Sequence, residues 1–325
     1  MALSIVAVIV GLAVLVWSAD RFVDGSAAVA RHLGMPPLII GMVIIGFGTS
    51  APEMVVSALA SLDGSPALAL GNAYGSNITN IALVLGLTAV LAPITVQSGV
   101  IKREMPVLIL ITLFSAALLW DFNITELEAW LLLAIFAVYM GWSVYLGAKG
   151  KQNTLAAEFT QEIDSHPMAM KPAVIWLLVG LVFLVLSSRA LVWGAVNISQ
   201  ALGVSDLVIG LTVVAIGTSL PELASAIAAV RKNEHDLALG NVIGSNMFNT
   251  LAVVGIAGTI HPISLEPLVL YRDWVTMAAL TLLLLLFSLR INRIGRINRI
   301  HGISFLAMYI AYCIYLVSTG FAPAL

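Results

Sequence analysis

The sequence predicts an all-α, polytopic membrane protein of about ten transmembrane helices arranged as two inverted five-helix repeats. Three observations lead there. The chain is 60% hydrophobic and only 10% charged, where a soluble domain carries roughly a quarter charged residues. Apolar runs long enough to cross a bilayer recur from end to end. The first half of the sequence also reappears in the second at a constant offset.

A helical span needs about 17–25 mostly apolar residues. Such runs lie at 2–19, 36–61, 67–92, 105–120, 127–147, 172–202, 207–230, 237–260, 268–289 and 302–322. The first has no basic stretch before it and no clear small-residue cleavage site after it, so it reads as a retained helix. Polar turns between spans are short, and residues 148–171 form the sizeable loop. The single Cys313 excludes an internal disulfide and a cysteine-rich metal site, and a net charge of −2 argues against a nucleic-acid partner. The lipid bilayer is the evident partner; no obligate protein partner is evident. Asn77, Asn123 and Asn197 begin glycosylation-like triplets too common by chance to carry weight.

The octet GFGTSAPE (46–53) returns as AIGTSLPE (215–222), an offset of 222 − 53 = 169. The same offset lays GNAYGSNITN (71–80) on GNVIGSNMFN (240–249), Gly86 on Gly255, and Arg103-Glu104 on Arg272-Asp273. Upstream, Gly25 meets Gly194 and Gly41 meets Gly210 without a gap. Spans one to five and six to ten are therefore copies. Five is odd, so a copy that follows directly enters the membrane upside down, as in many secondary transporters.

Each octet places a glutamate, Glu53 or Glu222, inside an apolar span. A charge in hydrocarbon is expensive, so it marks a functional site by default. Pro52 lacks an amide hydrogen and Gly48 adds flexibility, which predicts a helix broken or distorted between Gly46 and Pro52. Thr49 and Ser50 precede Glu53 by four and three residues and share its helix face. In the next span Asn72, Ser76 and Asn80 recur every fourth residue, and Asn241, Ser245 and Asn249 repeat them. Gly71/Gly75 and Gly240/Gly244 are small-residue pairs that let another helix approach. Two carboxylates, hydroxyls and amides, with no histidine or cysteine in either motif, suit a hard cation such as sodium or calcium rather than zinc or copper. No Lys or Arg lies within spans two, three, seven or eight to neutralise the glutamates. The asparagine and serine stripes have a second reading as interhelical hydrogen bonding, worth on the order of 1 kcal/mol per bond. Asp20, Asp24, His32 and His261 fall at span ends, at the interface or in solvent.

With these motifs the chain resembles the cation/calcium exchanger superfamily, sodium/calcium exchanger type. The resemblance rests on GTSAPE with GNAYGSNITN and GTSLPE with GNVIGSNMFN, and the repeat extends it over essentially the whole chain. It implies the exchanger fold, in which spans two, three, seven and eight hold the ions and spans one and six slide past them. It implies that Glu53 and Glu222 are the central calcium ligands, with Asn80 and Asn249 completing the middle of the site. It further implies sodium coordination by Thr49, Ser50, Ser76, Thr218, Ser219 and Ser245 and by the carbonyls of Gly46 and Ala215. Family members often carry an aspartate where Asn249 stands, and the large calcium-sensing insert of animal exchangers is missing between the halves. The implied activity is electrogenic, potassium-independent exchange of calcium for sodium in a bacterial inner membrane, with no cofactor and no enzymatic chemistry. A calcium/proton exchanger on the same frame and a cation channel are the rival readings. An intramembrane hydrolase lacks a Ser-His or paired-Asp arrangement within the spans.

The copies are expected at 1–147 and 172–325, joined by a cytoplasmic loop at 148–171. Basic residues concentrate in cytoplasmic loops. With the N-terminus outside, thirteen of the fifteen Lys and Arg residues fall in inward loops, leaving Arg189 and Arg272. Both termini are then periplasmic. A cysteine placed near Asp63 is expected to react with an impermeant maleimide applied from outside, and one near Lys232 is not; the reverse labelling would refute this orientation.

Overall fold

The computed structural model describes residues 1–33, 50–96, 104–148, 168–231, 235–289 and 295–320. Gly34, Gly41, Gly46, Gly48, Thr49, Lys102, Arg103, Lys149, Lys151, Lys232, Arg290, Arg293 and most of the 148–171 loop lie outside them. Ten helical segments account for the ten apolar runs. They are α1 (Ala2–His32), α2 (Ala51–Leu62), α3 (Pro66–Leu91), α4 (Met105–Leu118), α5 (Glu126–Ala148), α6 (Met170–Leu202), α7 (Asp206–Arg231), α8 (235–260), α9 (Val269–Ser288) and α10 (Arg299–Gly320). Among the described residues eight are long and apolar enough to span a bilayer; α2 and α4 are shorter.

The first helix is longer than the 2–19 run. Its 31 residues extend about 46 Å at 1.5 Å per residue, against a hydrocarbon thickness of about 30 Å. Asp20, Arg21 and Asp24 end the hydrophobicity without ending the helix, because the following Ser-Ala-Ala-Val-Ala stretch propagates it and α6 runs alongside. Arg21 pairs with Asp24 at 3.7 Å and lies 5.1 Å from the Trp176 ring of α6. Arg31 and His32 in the last turn complement the helix dipole.

Helices α1 and α6 pack against each other antiparallel along their length. A Cβ on Gly11 would meet Ser187 and Leu191, and one on Gly25 would meet Ala173 and Leu177. The repeat partners answer from the other side: Gly180 faces Phe22, and Gly194 faces Ser4 and Val8. Equivalent glycines thus occupy equivalent places across one crossing, which a two-fold relation between the halves produces. A second close crossing lies where Gly71 of α3 meets Gly210 of α7: a Cβ on either would lie 3.0–3.1 Å from the other's Cα. Gly75 sits one turn on, against Leu211 and Ala215.

Two short ladders tie the halves together. β1 (Ile94–Val96) pairs antiparallel with β4 (Gly295–Ile297), and β2 (Asn123–Ile124) with β3 (Ile263–Ser264). Counting crossings, β1 and β4 follow three and nine spans, while β2 and β3 follow four and eight. Each ladder therefore joins loops on one side of the membrane. Since β1 and β3 are repeat equivalents, the equivalent strands lie on opposite sides, as inversion requires.

Among the eight long helices the most buried are α3 and α8, with α7 next; α1, α5, α6 and α10 turn most of their surface outward. Ile9, Val138, Ile310 and Ile314 are among the large side chains exposed there, where lipid is the solvent. Burial at the α3/α7 crossing makes small size obligatory. Gly71→Ala is expected to destabilise the protein by about 1–3 kcal/mol, read as a lower melting temperature in detergent. Gly141→Ala, whose added carbon meets nothing within 4 Å, is expected to leave melting unchanged or raise it slightly.

Candidate functional site

The two octets position their glutamates by the same local geometry. Ser50 (φ −91°, ψ 5°) and Ser219 (φ −87°, ψ 6°) each form a single hinge residue before the helix that carries the glutamate. Across the second hinge the hydrogen bonds continue, from Ser219 N–H to the Ala215 carbonyl and from Leu223 N–H to the Ser219 carbonyl, both 3.1 Å. Of the distortion expected from Gly46 to Pro52, only Ser50 to Pro52 fall among the described residues. Pro52 and Pro221 sit in the first turn of the following helix, where a missing N–H is tolerated. A second irregularity lies upstream in α7, a wide π-helical turn at Gly210–Val214.

The next helix of each repeat is irregular at a matching point. α3 opens into a π turn at Asn80–Leu85 and α8 at Asn249–Val253, so both wide turns start at the predicted asparagines. Such turns recur at functional sites. The Asn80 turn packs against the Glu222 helix, and the Asn249 turn packs against the Glu53 helix. Each repeat thus brings its asparagine to the other's carboxylate.

Glu53 and Glu222 are 1% and 0% exposed, and Glu53 lies close enough to feel the charge of Glu222. Neither oxygen of Glu53 has a hydrogen-bond partner among the described residues. Glu222 accepts one bond on Oε1 from the Ser245 hydroxyl at 3.3 Å, and its Oε2 has none. The hydroxyls of Ser50 and Ser219 and the Oδ1 atoms of Asn80 and Asn249 are likewise buried without partners. Buried polar atoms are ordinarily hydrogen-bonded. A gathering of unpaired oxygens around two carboxylates has the donor chemistry of a hard-cation site.

Other expected residues are placed differently. Ser76 and Thr218 share a hydroxyl contact at 3.3 Å, and Thr218 donates to Asn72 Oδ1 at 3.0 Å. The Ala215 carbonyl accepts from the Ser219 amide and, at 3.4 Å, from the Thr218 hydroxyl. Gly46 and Thr49 lie outside the described residues. Asn72 donates from Nδ2 to the Glu53 carbonyl (3.3 Å) and to the Ser57 hydroxyl (3.0 Å). For Asn72 the interhelical hydrogen-bonding reading therefore holds: it fastens α3 to α2 and α7.

Sequence reasoning passed over Ser57, Asn77, Asn246 and Thr250, which form the buried polar frame beneath the site. A signal was present, since Asn77 and Asn246 are themselves related by 246 − 77 = 169. It also passed over a buried ion pair. Arg272, expected in an outer loop, is buried in the first turn of α9, bonding Asp273 at 2.7 and 3.0 Å while Tyr312 donates to Asp273 at 2.8 Å. A charge beside its own counter-ion loses less on burial than a lone one.

Comparison with known proteins bears on this geometry. A family model described as sodium/calcium exchanger protein matches residues 3–145 and 172–318. The putative antiporter CaxA of Alkalimonas amylolytica is 49% identical over 85% of this chain and 87% of its own. Inner membrane protein YrbG of Escherichia coli (strain K12) is 38% identical over 87% of this chain and 88% of its own. Among solved structures, the sodium-calcium exchanger NCX_Mj, soaked with zero Na+ and Ca2+, matches with a TM-score of 0.64 at 33% identity, covering 97% of this chain and 99% of that one.

Asn72 makes three bonds between three helices. Asn72→Ala is expected to lower stability by about 1–3 kcal/mol through the partners left unpaired. Thermal unfolding in detergent measures it.

Proposed function

The chain belongs to the sodium/calcium exchanger protein family, and from that premise we propose that it is a secondary antiporter exchanging Ca2+ for Na+ by alternating access. One observation carries the proposal: Glu53 and Glu222 are both buried, with three of their four oxygens lacking any partner among the described residues. Two carboxylates offer two negative charges, which one calcium ion balances. Sodium ions can occupy the same oxygens. If more than two enter per calcium released, net charge moves in each cycle and transport is electrogenic.

In this reading Glu53 and Glu222 hold calcium at the centre, with Asn80 and Asn249 adding neutral oxygens. Ser50, Ser219, Ser76, Ser245, Thr218 and Thr49, with the Gly46 and Ala215 carbonyls, serve sodium. The inverted halves, 1–147 and 172–325, supply the two access states by exchanging conformations about the α1/α6 crossing. The membrane is the bacterial inner membrane, with both termini and Asp63 periplasmic and the 148–171 loop cytoplasmic. Potassium has no dedicated carboxylate, because Asn80 and Asn249 are both neutral amides.

Everted or reconstituted vesicles test this. Sodium-driven calcium flux is expected in potassium-free buffer, and Glu53→Gln or Glu222→Gln is expected to abolish it while the protein stays folded, because a divalent ion in a low-dielectric site needs compensating charge. Removing a buried charge is expected to leave melting unchanged or raise it. Flux is expected to fall from neutral to mildly acidic pH, since a proton on either glutamate removes half the negative charge that holds calcium. Wild-type flux in either variant overturns the assignment of the glutamates; flux driven by a proton gradient without sodium points instead to calcium/proton exchange.

A further inference from the structure

We propose that Asn246 is a positioning residue that fixes the carboxamide of Asn80 with its oxygen facing the ion, so that the repeat-related Asn80 and Asn249 are not equivalent ligands. This deepens the cation-binding reading above and rests on it.

The argument is one of hydrogen-bond polarity. Asn246 Nδ2 lies 3.4 Å from the backbone carbonyl of Asn77, a group that can only accept. The amide end of Asn246 must therefore face Asn77, which turns its Oδ1 toward Asn80. An oxygen there demands a donor, and Asn80 Nδ2 supplies it at 3.1 Å. Asn80 Oδ1 is thereby left pointing away from Asn246, buried and without a partner among the described residues. Asn246 is itself anchored: its backbone carbonyl accepts from the Thr250 hydroxyl at 3.0 Å, and Asn77 Nδ2 donates to that hydroxyl at 2.8 Å. Asn77, Asn80, Asn246 and Thr250 are all at most 1% exposed, so bulk solvent does not reach them.

Exact repeat symmetry would have Asn77 fix Asn249 in the same way. It does not, because Asn77 Nδ2 is drawn to Thr250 Oγ1 and, at 3.2 Å, to Met277 Sδ. Their repeat equivalents, 250 − 169 and 277 − 169, are Ile81 and Leu108, which offer no acceptor. Two side chains present only in the second repeat thus divert Asn77. Asn249 has no partner on either amide atom among the described residues. Asn80 is a preorganised acceptor, whereas no hydrogen bond among the described residues sets the amide orientation of Asn249.

The experiment compares calcium binding to detergent-solubilised wild type, Asn246→Leu and Asn246→Asp by calorimetry, with melting as the check on folding. Leucine fills a similar volume without hydrogen bonding, and calcium affinity is expected to fall roughly ten-fold or more, the usual scale for losing a group that orients a metal ligand. Aspartate keeps the acceptor facing Asn80 but loses the donor to Asn77, and is expected to bind calcium at least as tightly as wild type. A role confined to the Asn77 bond would weaken both variants equally. In the Asn80→Ala background, Asn246→Leu is expected to cause no further loss.

Unchanged affinity in Asn246→Leu, a ten-fold loss in Asn246→Asp, or a full additional loss in the double variant would each overturn the inference while wild-type binding leaves the functional reading intact. Absence of calcium binding by the wild type overturns both. If Asn246→Leu does not fold, the Asn246→Asp result decides by itself.

Discussion

Two carboxylates, Glu53 and Glu222, buried among membrane-spanning helices are the central constraint on this structure. Glu53 and Glu222 sit almost wholly enclosed, in spans without a neighbouring Lys or Arg. An isolated buried charge is among the most unfavourable features a protein can carry. The Ser50 and Ser219 hydroxyls and the Asn80 and Asn249 Oδ1 atoms are also buried without partners among the described residues. Contrast Arg272 and Asp273, equally buried but satisfied by each other and by Tyr312. That pair is satisfied within the protein, whereas three of the four glutamate oxygens have no partner among the described residues.

The close helix crossings follow from the same constraint. Bringing two carboxylates into one small volume requires the helices of both halves to approach closely, and in lipid such approach depends on small residues. Gly71 against Gly210, with Gly75 one turn away, brings α3 and α7 near backbone contact. Wide π turns at Asn80 and Asn249 then shift the helix face by one residue where each meets the opposite glutamate. Outside this centre, α1 and α6 cross through glycines at matching positions, with Trp17 set edge-on against Trp176 and Phe183.

Two-fold relation and asymmetry coexist, and both have identifiable causes. Inversion follows from an odd number of spans per copy and is visible in antiparallel α1/α6 packing and in ladders that pair loops across the halves. Departures arise where the same side chain takes different partners in the two copies. Ser245 bonds Glu222, while its equivalent Ser76 turns to Thr218 and leaves Glu53 without a bond. An alternating mechanism gains from this combination: near-equivalence keeps two access states close in energy, and inequivalent ligands let ions of different charge be handled differently.

The fold class was legible in the sequence because its determinants are local and additive. Span count needs only apolar length, and inversion needs only the offset of 169 and the parity of five. The glutamates were legible because a lone charge in an apolar run is conspicuous by itself. What tertiary structure decided was pairing. Whether Asn72 binds an ion or ties helices together depends on Ser57, Thr218 and the Glu53 carbonyl, which lie on other turns and other helices. The length of α1 beyond residue 19 depends on α6 beside it, since a single charged turn halts hydrophobicity but not hydrogen bonding. Periodicity could place Asn80 and Asn249 on matching faces, yet it could not tell which amide atom faces the ion. That polarity is set by a backbone carbonyl at Asn77 and relayed through Asn246, a chain of contacts that exists only once the two halves have folded onto each other.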